Sequence, residues 1–453
     1  MYLIGSGAGF SGDRTDAAQA VVASIIASGH PGAVIFETLG ERTLALGQVA
    51  KRSNKDKGYE PLLADIVTPI LADCLRAGIA IVGNFGAANP QAAARLIQQI
   101  ARDQGFTDTR IAVITGDDLL DGLDLTGLEI WEGDTALHSD TGQIVSANVY
   151  IGARSIADAL RAGAQIVVAG RVADPALVVG PAMAHYGWAW DDWDRLAQAT
   201  LAGHLLECGA QVTGGYFADP GYKDVPSPAT IGYPIAEIQA DASFVITKAG
   251  NTGGLVDLRT VKEQILYEIH DPAAYLTPDV VLDITDVTLE PTSPNRVAVR
   301  GAHGQPRPDT LKMTVGFTGD WLGEGEISYA GPNAMARARL AAEILEARLH
   351  NKGLDVRRRF DLIGAVSVFD SEDGALRQQA CPPFSEDIRM RLAVSADTKH
   401  AVELALQEVS ALYCTGPAGG GGIRTRTQNR IRTVSYLVPR TKVHTSHYFL
   451  AEA

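Results

Sequence analysis

Cysteine is scarce: the 453 residues hold four, Cys74, Cys208, Cys381 and Cys414, and no two form a C-x-x-C pair. That spacing argues against a disulfide frame or a structural zinc site and fits isolated thiols in a reducing cytosol. Basic tracts are missing as well. The formal net charge is -14, and arginine clusters only near the end of the chain, at Arg424, Arg426, Arg430, Arg432 and Arg440, so no nucleic-acid partner is expected. No window approaches the about 18 uninterrupted apolar residues of a membrane span, and no basic stretch with an apolar core behind it opens the chain. The expectation is a soluble, cytoplasmic protein with no membrane partner. Also absent are G-x-x-x-x-G-K-[ST], G-x-S-x-G and H-E-x-x-H, which disfavours a P-loop NTPase, an α/β-hydrolase and a zincin.

What is present is enough apolar sequence, 46% of 453 residues, for a large core and two or more domains. To about residue 190, short β-branched runs (Ala33 to Phe36, Ile79 to Val82, Ile111 to Thr115, Ile166 to Ala169) alternate with amphipathic stretches (Thr15 to Ser28, Tyr59 to Ala77, Pro90 to Gln104, Ser155 to Ala162). This rhythm predicts parallel strands with crossover helices. Residues 191–215 read as a helix with His204 and Cys208 along one face, and loop-rich sequence after it suggests a lid-like insertion over about 191–257. Beyond residue 278 the pattern changes to strands at 280–287, 295–300 and 310–317, a helix at 333–350, strands at 360–368 and 387–395, and a helix at 397–413. The glycine-rich segment 416–422 and a strand from Thr433 to Pro439 follow. The expected fold is α/β: an N-terminal parallel-sheet, Rossmann-like domain over 1–277, then a smaller α+β, ferredoxin-like domain over 278–453.

In open α/β sheets ligands gather beyond the carboxyl ends of the strands. The first such end is Gly5-Ser-Gly-Ala-Gly-Phe-Ser-Gly-Asp-Arg14, read as a loop between the run Met1 to Ile4 and a helix. Gly7, Gly9 and Gly12 fit G-x-G-x-x-G, and Glu37 follows Gly12 by 25 residues, where a dinucleotide fold places its ribose carboxylate. Asp13, however, stands where a pyrophosphate would lie, and the same glycines also suit a tight ligand-free turn. Asp13 and Glu37 are candidate general bases, with Asp174 as an alternative, and Arg14 and Arg171 are candidate carboxylate forks. Arg171 and Asp174 can equally pair with each other and hold their loop. Asn84 is placed on a ligand carbonyl and Asn89 as a helix cap before Pro90. Lys248 and Asn251, before Gly253-Gly254, offer an anion nest or a plain hairpin turn. Asp117-Asp118 is read as a cap before a metal site, and His138 with Asp140 as a weak metal candidate.

The stretches Gly-Ala-Gly-Phe-Ser-Gly-Asp-Arg14, Phe36-Glu-Thr-Leu39, Gly83-Asn-Phe-Gly-Ala-Ala-Asn-Pro90, Gly170-Arg-Val-Ala-Asp174 and Lys248 to Gly254 together resemble the acyclic terpene utilisation family, AtuA, over most of the chain. The resemblance implies a place in the breakdown of branched, terpenoid-type acids as CoA thioesters. It brings no settled catalytic set, and no carboxyl-terminal module of the kind longer members carry is seen before Ala453, which leaves room for a separate small subunit. The leading expectation is a lyase or hydratase acting on a small branched carboxylic acid or its CoA thioester. It requires no cofactor, with CoA entering as part of the substrate and a divalent metal left open. Alternatives are an NAD(P)-dependent oxidoreductase and a non-catalytic scaffold subunit of a two-component enzyme. A homo-oligomer is the default for a metabolic protein of this size.

Overall fold

A computed structural model describes residues 1–122, 124–132, 143–368, 370, 371, 373–379 and 387–451. The chain divides into two compact units, residues 1–316 with 433–453, and residues 317–432.

The first unit is mixed α/β. Its elements up to residue 248 are β1 (Tyr2–Ala8), α1 (Ala17–Ser28), β2 (Gly32–Phe36), α2 (Glu41–Ser53), α3 (Leu63–Ala77), β3 (Ala80–Gly83), α4 (Pro90–Asp103), β4 (Ile111–Thr115), β5 (Glu129–Glu132), β6 (Ile144–Val149), α5 (Arg154–Arg161), β7 (Ile166–Val168), α6 (Ala176–Tyr186), α7 (Trp193–Glu207), β8 (Pro234–Ile238) and β9 (Phe244–Lys248). Strands β1, β2, β3, β7 and β4 are neighbours in that order, parallel throughout. Val34, Ile81, Ile166 and Ile111 fall in one lateral row, so each strand presents a β-branched side chain to the same layer of core. Helices α1, α3 and α4 cover the sheet with Val21, Ile25, Ile66, Ile70, Ala93 and Ile97, all buried. Each large side chain contributes roughly 1.5–3 kcal/mol of burial.

Punctuation explains the boundaries. Gly29 and Gly78 end α1 and α3 at positive φ, and Asn89 caps α4 by accepting from the Ala92 amide at 3.3 Å, with Pro90 in the first turn.

Several expectations change. The first strand does not stop at Ile4 but continues through Ala8, because Gly5 and Gly7 are packing positions. A Cβ on Gly5 would come 2.2 Å from Val21 Cγ1, and one on Gly7 2.5 Å from the Phe36 ring. Helix α2 (Glu41–Ser53) was not among the expected helical stretches. Within residues 191–257, α7 is buried from Leu196 to Glu207, and β8 and β9 extend the sheet antiparallel from β1. Strands Arg296–Arg300 and Thr288–Ser293 continue the same sheet beyond β9. A boundary at residue 277 therefore differs from the observed one, since it would separate paired strands.

In the second unit, Arg357–Ile363 and residues 321–330 of the strand Thr310–Ala330 flank Asp387–Ala396 antiparallel. Helices Ala334–Asn351 and Lys399–Thr415 bury Leu345, Leu349, Leu406 and Val409 against Phe360, Leu362, Met390 and Leu392. The strand expected from Thr433 begins at Gly421, inside the glycine run.

Candidate functional site

Strand order selects the place. From β3 the chain crosses towards β4, whereas from β7 it leaves for β8 on the opposite side, so the adjacent strands β3 and β7 have diverging connections. Open α/β sheets hold ligands at such a point, beyond the strands' carboxyl ends.

The residues after β2, β3, β7 and β4 form one buried polar network there. Glu37 Oε1 accepts from the Leu39 amide (2.8 Å) and from Asn84 Nδ2 (2.9 Å). Asn84 Oδ1 accepts from the Thr38 amide at 2.7 Å, which fixes the orientation of its side-chain amide. Arg171, 1% exposed, donates from Nη1 to the Leu39 carbonyl and from Nη2 to Asp174 Oδ1, while Nε and Nη2 both reach the Val172 carbonyl (2.9 and 2.7 Å). Its guanidinium lies 4.4 Å from the centroid of the Tyr150 ring. The Tyr150 hydroxyl donates to Glu41, whose carboxylate Lys312 also faces at 3.5 Å. Asp117 Oδ2 takes the Arg171 amide (2.9 Å) and Asn148 Nδ2 (3.0 Å).

These contacts set the protonation states. Burial pushes the Glu37 carboxyl up to about 8 and Asp174 adds to the rise, against Arg171, Asn84 and the Leu39 amide. Asp117 is raised to about 6 by burial, opposed by the Arg171 amide and Asn148. Glu41 feels the same burial, but Tyr150 and Lys312 outweigh it and its pKa falls. Asp174 is pushed up by burial and pulled down by Arg171. The site thus combines a carboxylic acid that keeps its proton at neutral pH with an ion pair beside it.

Glu37, Asn84, Arg171 and Asp174, inferred from three separate stretches of sequence, are joined by this network. Arg171 makes the pair with Asp174, and the donors on its Nε and Nη2 are spent inside the loop. Asp117 is a buried partner of Arg171 and caps no helix, which corrects its reading as a cap. Substitution there should be costly: a Cβ on Gly170 would meet Asp117 Oδ2 at 2.6 Å and the Ala87 carbonyl at 2.8 Å. Gly170→Ala should therefore lose roughly 1–3 kcal/mol in a denaturant melt.

The other candidates belong to different networks. Asp13 Oδ2 takes the Gly9 amide (2.8 Å), and its Oδ1 takes the Arg14 amide (2.7 Å) and the Tyr233 hydroxyl (2.6 Å). The loop's own carboxylate thus takes the Gly9 amide of the glycine motif. Gly9 is needed for contact with backbone, since a Cβ would lie 2.5 Å from the Gly209 nitrogen, while Gly12 turns at φ 87°. Arg14 pairs with Asp16 and donates to the Ile231 carbonyl (3.0 Å). Lys248 donates to the Thr252 carbonyl at 2.8 Å, and Asn251 is an exposed turn residue at φ 57° in the segment that leaves β9. His138 and Asp140 lie outside the described residues. Among the described residues no group of three or more His, Cys, Asp and Glu is arranged to hold a metal ion.

Sequence reasoning missed the end of α7. His204 Nδ1 and Glu207 Oε1 are 2.9 Å apart, and His204 Nε2 is 2.9 Å from the Gln264 carbonyl. Glu207 is raised to about 7 by burial, against the pull of His204 and with Asp174 adding to the rise. The available signal was the His-x-x-Glu spacing, which puts both side chains on one helix face.

Against protein-family models, residues 2–449 match the one described as Acyclic terpene utilisation family protein AtuA. The chain belongs to that family. Membership carries an involvement in acyclic terpene utilisation, and the match takes in both units of this AtuA chain. No curated protein matches it. No helix among the described residues is long and apolar enough to cross a membrane.

Proposed function

We propose that this AtuA chain is a hydratase- or lyase-type enzyme acting on a small branched carboxylic acid or its CoA thioester. The observation that carries the reading is Glu37: its Oε1 is occupied by two N–H donors, so a proton on this carboxyl sits on Oε2. Burial next to Asp174 and Arg171 holds its pKa at about 8, close enough to neutrality for transfer in either direction. In water addition the protonated form gives its proton to carbon; in elimination the ionised form removes it. The elimination rate should accordingly rise as pH passes through about 8 and the addition rate should fall. The fixed charge of Arg171 favours an enolate formed beside it.

Occupation of the glycine motif by Asp13 favours this reading over an NAD(P)-dependent one. At the fold level we read the first unit as Rossmann-like, from its five parallel strands and crossover helices. We read the second as ferredoxin-like, from its strand–helix–strand–strand–helix–strand succession once the five-residue helix Ala375–Gln379 is set aside.

The test is incubation with 3-methylbut-2-enoyl-CoA in D2O, following hydration and deuterium at Cα. Wild type should do both, and Glu37→Gln should cut turnover by about 10²–10⁴-fold. A wild-type protein that does neither would refute the reading. Turnover that needs a second polypeptide and survives Glu37→Gln would support the scaffold alternative instead.

A further inference from the structure

The mechanism above leaves a buried acid at the end of α7 unused. Glu207 Oε2 is buried and meets no hydrogen-bond partner among the described residues, an arrangement that is costly for a carboxyl unless a ligand or a proton completes it. Its position is fixed by two close backbone contacts. Gly203, one turn earlier on α7, lies so near Pro175 that a Cβ would be 2.7 Å from the Pro175 Cα, and Pro175 follows Asp174. The residues after Glu207, Cys208 and Gly209, press on Gly9 at the end of β1. The carbonyl of Ala8, just before Gly9, accepts from the Glu37 amide at 3.2 Å. The C-terminal part of α7 that carries Glu207 thus packs against the residue after Asp174 and against the end of β1, the strand whose Ala8 carbonyl takes the Glu37 amide.

The partner of Oε1 is equally specific. A carbonyl oxygen only accepts, so His204 Nε2 must donate to Gln264. One proton then remains to be shared between His204 Nδ1 and Glu207 Oε1, and when it rests on the imidazole, the carboxylate keeps a bare, uncompensated Oε2.

We infer that Glu207 is the second acid/base group of this site, working through Oε2 while His204 positions it. The inference rests on the hydratase or lyase reading. In water addition, Glu207 Oε2 takes a proton from water as the O–C bond forms at Cβ. The C=C electron pair moves onto Cα and the thioester carbonyl, and the enolate then takes the proton of Glu37 to close the C–H bond. The proton gained by Glu207 and the one lost by Glu37 are rebalanced through solvent. His204 is a positioning residue, whose imidazolium neutralises the base before it acts.

Two reactions in D2O separate the roles: hydration of 3-methylbut-2-enoyl-CoA, and Cα–H exchange of 3-methylbutanoyl-CoA, which needs Glu37 but no attacking water. Glu207→Gln should lose hydration by at least about 100-fold while keeping exchange within a few-fold of wild type, and Glu37→Gln should lose both. Hydration unchanged in Glu207→Gln, or hydration and exchange lost together in a folded variant, overturns the inference. If wild type shows neither reaction, it is the underlying hydratase reading that fails. Should Glu207→Gln not fold, the ¹⁵N signals of His204 in wild type decide. They should report a protonated ring that changes state when 3-hydroxy-3-methylbutanoyl-CoA binds, and signals indifferent to that ligand overturn the assignment.

Discussion

Arg171→Ala should cost roughly 2–4 kcal/mol, below the full scale for a stranded buried charge because the Asp174 side chain left behind is 33% exposed. The guanidinium meets the Leu39 and Val172 carbonyls, Asp174 and the Tyr150 ring. Its loss strands two carbonyl oxygens and leaves Asp174 facing Glu37 and Glu41 with no fixed positive charge between them. Arg171→Lys should recover little, because a single ammonium cannot reach three acceptors in a planar fork. Asp174→Asn in the Arg171→Ala background should return part of the loss, since it removes the uncompensated charge. A double-mutant cycle read by chemical denaturation measures this coupling. Melting of Arg171→Ala close to wild type would show that the guanidinium does not hold these strand ends together.

The second large effect is on stability against pH. Glu37 titrates near 4.5 when unfolded and at about 8 when folded, so between those values the native state binds more protons than the unfolded chain, and stability falls as pH rises. Each tenfold difference in proton affinity is worth about 1.4 kcal/mol. Glu207, raised to about 7, and Asp117 and Asp279, each raised to about 6 by burial, act in the same direction. Wild type should therefore melt at progressively lower temperature from about pH 5 to about pH 9. Glu37→Gln keeps an acceptor for Leu39 and cannot ionise. It should resemble wild type near pH 5 and exceed it by roughly 3 kcal/mol near pH 9. Equal pH slopes for the two proteins would mean that Glu37 is already ionised in the native state.

How much of this was legible in sequence depended on whether the signal was local. The alternation of β-branched runs with amphipathic stretches located the parallel strands, and the polar residues after those runs included Glu37, Asn84, Arg171 and Asp174. Asn89 before Pro90 is also a local signal and was read correctly as a cap. The glycines of the first strand misled because Gly5 and Gly7 look like turn residues, while their actual reason is distant: Val21 and Phe36 need the space. Asp117 was hidden for a similar reason, since its partners, Arg171 and Asn148, are 54 and 31 residues away. Glu207 was passed over because its helix is buried almost entirely, and in such a helix a polar pair reads as part of an apolar stripe.

The central claim is that Glu37 is a neutral carboxylic acid at physiological pH, held beside the Arg171–Asp174 pair. Infrared difference spectroscopy of wild type against Glu37→Gln tests it most directly, by following the C=O stretch of a protonated carboxyl as pH is raised. The expected result is a band assignable to Glu37 at neutral pH that disappears as pH passes through about 8. A Glu37 that is fully ionised at neutral pH and shows that band only near the ordinary carboxylate pKa would contradict it.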